Sequence, residues 1–104
     1  MEITSEELKQ KIKNGDKLIV DFRASWCGPC KVMKPMFEDV SNGLENSGSD
    51  VKLYTFNIDN DKEFVVELGI RSVPTIKGFN GGNERFSEVG LKQRDVIMEM
   101  TNRL

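Results

Sequence analysis

Residues 17–30 read KLIVDFRASWCGPC. Apart from Asp21, the centre of this stretch is apolar, which is typical of an interior strand covered on both faces. Farther along, apolar residues recur at helical spacing and predict a helix that begins at the cysteines and ends near Asn46; they are Met33, Met36, Phe37, Val40 and Leu44. Cys27 and Cys30 therefore lie where a strand passes into a helix, at the sheet edge where α/β proteins usually place their sites.

Helices and strands alternate along the rest of the chain, as in an α/β domain. Thr4 and Glu7 have the spacing of a capping box for a first helix near residues 5–14. A second interior strand is predicted at 51–58, and Asn60 is a candidate N-cap for a helix that ends at Gly69. A hairpin follows, with strands 75–79 and 84–89 around the turn 80–83, and then a C-terminal amphipathic helix through Val96.

Two interior strands joined by a helix imply a right-handed parallel crossover, and the hairpin adds antiparallel strands. We predict a single α/β domain over residues 1–104, with a mixed central β-sheet of about five strands flanked by four helices. The fifth strand would be a short one at residues 1–3. Lys77 and Gly78 interrupt an otherwise apolar strand, which predicts a sheet edge with a bulge or a close approach there.

The composition narrows the classes of function. The chain has 104 residues, 38% hydrophobic and 31% charged, with a formal net charge of −2. Because charges of both signs are mixed and no basic block is present, we expect no nucleic-acid partner. No apolar run is long enough to span a membrane, and the acidic N-terminus lacks the apolar region of a secretory signal. We expect a cytoplasmic monomer without a membrane partner.

The two cysteines are accompanied by no histidine. A bridge between residues so close in sequence closes a very short loop and would stabilise the fold little. A zinc site usually needs four ligands, which the chain does not offer, so we expect no metal. The C-x-x-C spacing at a strand–helix junction favours redox chemistry over an inert structural pair.

The start of the helix assigns different roles to the two thiols. Free amides and the helix dipole favour an anion there, and the thiolate is the reactive form of cysteine. We predict that Cys27 attacks a substrate disulfide and that Cys30, one turn further in and more buried, then attacks Cys27 and releases reduced substrate. Gly28 lets a partner chain approach, and Pro29 stiffens the loop where the helix needs no amide.

Several separate motifs occur in register over nearly the whole chain: Val20-Asp21-Phe22, Trp26-Cys27-Gly28-Pro29-Cys30-Lys31, Asn57-Ile58-Asp59, Gly69-Ile70-Arg71, Val73-Pro74-Thr75 and Val89-Gly90. In this order they closely resemble the thioredoxin family. The resemblance implies the thioredoxin fold and the reduction of disulfide-containing client proteins. It also implies that no cofactor is bound and that a flavoprotein, thioredoxin reductase, recharges the redox-active disulfide Cys27–Cys30.

The resemblance makes Pro74 the family's cis-proline, which lies against the active-site disulfide. The turn by itself fits an ordinary proline, because only about 5–6% of X-Pro bonds in folded proteins are cis. The residues alone also allow Gly90 as a loop glycine and Trp26 as a core residue. By resemblance, an apolar platform for an extended substrate segment comprises Trp26, Gly28, Pro29, Val73, Pro74 and Gly90.

Asp21 is the most informative carboxylate. It lies inside an apolar strand, where an unpaired charge is costly and burial raises the pKa. The resemblance makes Asp21 the family's buried proton acceptor, acting on Cys30 through water. The alternative is a surface aspartate on a strand that is less buried than predicted.

Two positions depart from the family pattern near Asp21. Thr55 stands where the family usually has a lysine, and Arg23 stands where it usually has a second tryptophan. Because Arg23 follows Asp21 by two residues, both point to the same face of a strand. Arg23 would then place positive charge near the site and compensate in part for the missing lysine; alternatively, it reaches solvent at the strand end.

Two other functions remain open for this sequence. The first is a net oxidant or isomerase of the same fold, against which the Gly28-Pro29 dipeptide argues. The second is a binding subunit with the thioredoxin fold whose cysteines are dispensable.

Overall fold

The computed structural model describes residues 1–104. The elements follow the predicted order of helix, strand, helix, strand, helix, hairpin and helix. The helices are α1 (Ser5–Lys13), α2 (Gly28–Asn46), α3 (Lys62–Glu67) and α4 (Arg94–Met100), and the strands are β1 (Leu18–Arg23), β2 (Lys52–Asn57), β3 (Thr75–Asn80) and β4 (Asn83–Val89). Short 3-10 turns follow β2 at Ile58–Asn60 and α4 at Thr101–Arg103.

The strands form one mixed sheet in the order β2-β1-β3-β4. β1 and β2 are parallel, as the predicted crossover requires, while β3 is antiparallel to both β1 and β4. The prediction of about five strands is wrong by one. Residues 1–3 contribute an isolated bridge between Glu2 and Thr55 rather than a strand, because the chain turns into α1 directly afterwards.

Two apolar clusters hold the helices against the sheet. On one face, Ile19 and Ile76 pack with residues of α2 and α4, including Phe37 and Ile97. On the other face, strand residues such as Phe22 pack with residues of α1 and α3. Because side chains alternate along a strand, Asp21 shares the α2 face with Ile19. The helix that carries the cysteines therefore covers the strand position of the aspartate.

One of the two predicted helix caps is present in the structure, and the other is displaced by one residue. The capping box of α1 is present: the Glu7 N–H donates to Thr4 Oγ1 at 3.1 Å, and the Thr4 N–H donates to Glu7 Oε1 at 3.1 Å. The predicted cap of α3 is one residue off. Asp61 rather than Asn60 caps this helix, accepting from the Phe64 N–H at 3.1 Å, because Asn60 belongs to the preceding 3-10 turn.

The predicted sheet edge at Lys77 is also wrong, because β3 lies between β1 and β4. Lys77 is 4% exposed, and its ammonium donates to Glu84 Oε1 at 2.7 Å and to Ser87 Oγ at 3.2 Å. The bulge and the close approach predicted at this point of the strand are both present at Gly78. The register shifts between Gly78 and Phe79, and the ring of Phe86 occupies the space that a β-carbon at Gly78 would need.

Candidate active site

Cys27 and Cys30 are joined by a disulfide, with their Cα atoms 5.3 Å apart. β1 ends at Arg23, and the chain reaches α2 within a few residues, with Cys27 as the N-cap of that helix. The Cys30 N–H donates to Cys27 Sγ at 3.1 Å. This bond uses one of the free amides at the helix start. In the reduced protein the same amide is placed to stabilise a thiolate on Cys27.

Burial separates the two cysteines in the predicted direction. Cys27 is 5% exposed and Cys30 is fully buried. Ala24 forms a small apolar cluster with them, and Ile58 and Val73 pack against its outside. Sequence reasoning missed Ile58 as a site residue. The available signal was its place directly after β2, since parallel neighbouring strands end at the same edge of a sheet.

Residues far away in sequence complete the surroundings of Cys27. The Val73–Pro74 peptide bond is cis, and the Val73 carbonyl oxygen lies 3.8 Å from Cys27 Sγ. The Gly90 N–H donates to the Pro74 carbonyl at 2.8 Å. Gly90 has a φ of +98°, a conformation that a residue with a side chain rarely adopts. The structure thus brings Val73, Pro74 and Gly90 together beside the disulfide.

The remaining predicted contact residues are exposed next to the cysteines. Trp26 is 68% exposed, so it is a surface residue and not part of the core. Gly28 and Pro29 are also exposed, in the first turn of α2. A β-carbon at Gly28 would meet no neighbouring atom within 4 Å. The space beside Gly28 is therefore open next to the disulfide.

Asp21 is fully buried, as predicted. Both of its carboxylate oxygens lack a hydrogen-bond partner. Burial raises the pKa of Asp21 from 3.8 to about 7, and the positive charge of Arg23 opposes this rise. Thr55 is the register partner of Asp21 on β2, so the neighbouring strand supplies no charge at this point. A carboxyl group with a pKa near neutrality can exchange a proton at physiological pH.

No group of three or more His, Cys, Asp or Glu side chains is arranged to hold a metal ion. None of the helices is both long enough and apolar enough to cross a membrane.

Comparison with known proteins agrees with this geometry. The thioredoxin family model matches residues 1–103. Thioredoxin from Rickettsia bellii is 36% identical over 101 residues, which cover 96% of this chain and 93% of that protein. The crystal structure of Malassezia sympodialis thioredoxin superposes with a TM-score of 0.83 at 29% identity, covering 96% of this chain and 88% of that one. A mutant thioredoxin from Halobacterium salinarum gives a TM-score of 0.82 at 26% identity, covering 97% and 85%.

The fold and the disulfide at the start of α2 define a thiol–disulfide oxidoreductase with protein-disulfide reductase activity. The chain belongs to the thioredoxin family. The predicted family, fold and redox function are therefore confirmed.

Proposed function

We propose that the protein reduces disulfides of client proteins in two steps, with Cys27 as the nucleophile and Cys30 as the resolving thiol. The observation that supports this order is the Cys30 N–H bond to Cys27 Sγ at the start of α2. It favours negative charge on Cys27, while the fully buried Cys30 has no access to a large client.

In the first step, the Cys27 thiolate attacks one sulfur of the client disulfide. A bond from Cys27 to that sulfur forms, the client S–S bond breaks, and the other client sulfur leaves as a thiolate. In the second step, Cys30 loses its proton and attacks Cys27 Sγ. The Cys27–Cys30 disulfide forms, and the remaining client sulfur leaves and is protonated. The client gains two electrons, and the protein loses two.

Asp21 is proposed as the group that accepts the proton of Cys30. It lies on the α2 face of β1, beneath the helix that carries Cys30. With its pKa raised by burial to about 7, a large fraction of Asp21 is ionised at neutral pH and can take up this proton. An aspartate with an ordinary pKa would be a weaker base at the same pH.

The proposed client-binding surface comprises Trp26, Gly28, Pro29, Val73, Pro74 and Gly90. Two contacts support this grouping: Cys27 Sγ lies beside the Val73 carbonyl, and Gly90 is hydrogen-bonded to Pro74. The exposed indole of Trp26 offers a large apolar contact area next to the nucleophile. An extended segment around the client cysteine is the occupant that this surface suits.

We also propose a reductase partner, an oligomeric state and a cellular location for the protein. An external flavoprotein, thioredoxin reductase, returns two electrons to the Cys27–Cys30 disulfide, and the protein acts as an electron-transport monomer. We place it in the cytoplasm, where protein thiols are kept reduced.

Reduction of insulin disulfides by the parent protein and by Cys27→Ser tests the proposal. We expect the substitution to abolish turnover, because the one thiol that remains, Cys30, is fully buried. Residual turnover within about tenfold of the parent would contradict the assigned roles. If Cys27→Ser removes the activity but still supports cellular function, the protein acts instead as a binding subunit.

A further inference from the structure

Asp21 and Arg23 share an unusual property in this structure. Three buried side-chain nitrogen or oxygen atoms lack a hydrogen-bond partner, and they are Asp21 Oδ1, Asp21 Oδ2 and Arg23 Nε. Buried polar groups are normally hydrogen-bonded, so an unsatisfied buried group calls for a physical explanation. All three atoms belong to two residues of one strand, so an unpaired carboxylate and an unpaired guanidinium nitrogen lie two positions apart in β1.

Arg23 and Asp21 lie on the same face of β1, because they are two residues apart in the strand. Arg23 is half-buried at the end of the strand. It forms no ion pair within 4 Å, and its register partner Asn57 uses its side-chain oxygen to accept the Asp59 N–H at 2.9 Å. The guanidinium is thus held at the rim of the core without a competing carboxylate.

On this face of the sheet, the charged side chains of β4 and of the segments after it are paired with each other: Glu88, the register partner of Ile76, pairs with Lys92 and Arg103. The register partners of Asp21 are Thr55 on β2 and Ile76 on β3, and neither is charged. Lys77 lies on the opposite face of the sheet, as its register partner Val20 does. The charged residues nearest to Cys30 along α2 and after β2 are solvent-exposed: Lys31, Lys34 and Asp59.

We propose that Arg23 is a positioning residue whose guanidinium supplies the counter-charge that keeps the buried Asp21 carboxylate able to accept the Cys30 proton near neutral pH. This inference rests on the proton-acceptor role given to Asp21 in the proposed function. A positive charge near a buried carboxylate favours its ionised form, whereas burial alone disfavours it. The opposing effect of Arg23 on the pKa of Asp21 agrees with this arrangement.

The test compares the parent with three variants. Arg23→Leu removes the charge and keeps an apolar stem, Arg23→Lys retains the charge, and Arg85→Leu removes an equal charge from the exposed surface of β4. If Arg23→Leu does not fold, Arg23→Gln carries the same comparison. The first readout is the titration of the Asp21 carboxyl carbon by NMR in the oxidised protein, where no thiol titrates.

We expect Arg23→Leu to raise the pKa of Asp21 by about one unit. Arg23→Lys should restore most of the parent value, and Arg85→Leu should leave it unchanged. An unshifted Asp21 titration in Arg23→Leu, or an equal shift in Arg85→Leu, would overturn the inference. A purely structural role of Arg23 predicts lower stability without rescue by lysine.

The second readout is the rate at which Cys30 resolves a preformed mixed disulfide on Cys27, measured from pH 5 to 9. At pH 6 we expect this rate to be about tenfold lower in Arg23→Leu than in the parent, and nearly equal at pH 9. A shifted Asp21 titration with an unshifted rate profile would overturn the proton-acceptor role of Asp21. The assignment of Arg23 to proton transfer from Cys30 would then be wrong as well.

Discussion

Replacing Asp21 with asparagine should stabilise the protein relative to the parent by an amount that grows as the pH rises. The carboxyl group is fully buried without a hydrogen-bond partner, so its ionised form is unfavourable in the folded state. Asparagine has nearly the same size and cannot ionise. The substitution therefore removes a pH-dependent penalty and leaves the packing close to that of the parent.

The sign and size of this penalty follow from proton linkage. Burial raises the pKa of Asp21 from 3.8 to about 7 in the folded protein, so between these pH values the folded state binds more protons than the unfolded state. The stability that Asp21 contributes is complete below pH 3.8, is lost as the pH rises to about 7, and changes no further above it. The full loss is about 4 kcal/mol, of which about 3 kcal/mol falls between pH 4.5 and pH 8.

The assay is urea denaturation of the oxidised parent and of oxidised Asp21→Asn at several pH values from 4.5 to 8. We expect the difference in unfolding free energy to move in favour of the variant by about 3 kcal/mol across this range. The unpaired amide of the new asparagine adds a constant offset, so the pH-dependent part alone is compared. Asp39→Asn, at an exposed position of α2, is the matched control and should show no such trend. A difference that changes by less than about 1 kcal/mol would show that ionisation of Asp21 does not destabilise the folded state.

Three further substitutions test a buried ion pair, a close contact and a helix cap. Glu84→Gln leaves the Lys77 ammonium buried without its carboxylate and should lower the unfolding free energy by about 2 kcal/mol. Adding Lys77→Met should recover part of this loss. A Glu84→Gln variant as stable as the parent would contradict a stabilising ion pair. Gly78→Ala should cost about 1–3 kcal/mol because its methyl group meets the Phe86 ring, and parental stability in urea would contradict that contact. Thr4→Ala removes the cap of α1 and should cost about 1 kcal/mol, whereas an unchanged thermal midpoint would show that the cap contributes nothing.

Local signals explain why most elements could be predicted from the sequence. The Thr4–Glu7 capping box and the apolar spacing of α2 depend on residues a few positions apart, and both are present in the structure. The two-glycine turn of the hairpin is a similar case, because Gly81 and Gly82 both have positive φ and Asn80 pairs with Asn83.

Apart from the cap of α3, errors arose where pairing between distant segments decides the outcome. Lys77 resembles an edge residue because a lysine is costly in an interior strand. Its partner Glu84 comes from β4. The register shift between Gly78 and Phe79 pairs Glu84 with Phe79, on the same face of the sheet as Lys77. A short strand was predicted at residues 1–3, but these residues make a single bridge to β2.

The same distinction applies to the active site. The C-x-x-C spacing and the strand–helix junction were enough to predict Cys27 and Cys30 as the reactive pair. Spacing along the chain cannot show that Ile58 packs against the cysteines, nor that Gly90 is hydrogen-bonded to Pro74. The resemblance to a family supplied part of this information, whereas the unsatisfied atoms of Asp21 and Arg23 required coordinates.

Trapping of the mixed disulfide distinguishes the attacking thiol from the resolving thiol. Reduced Cys30→Ser and reduced Cys27→Ser are each mixed with oxidised insulin, and the products are analysed by mass spectrometry after acid quenching. We expect Cys30→Ser to accumulate an insulin adduct bound through Cys27, because no resolving thiol is left, and Cys27→Ser to form little adduct. Equal adducts in both variants, or an adduct mainly through Cys30, would contradict the assignment of Cys27 as the attacking thiol.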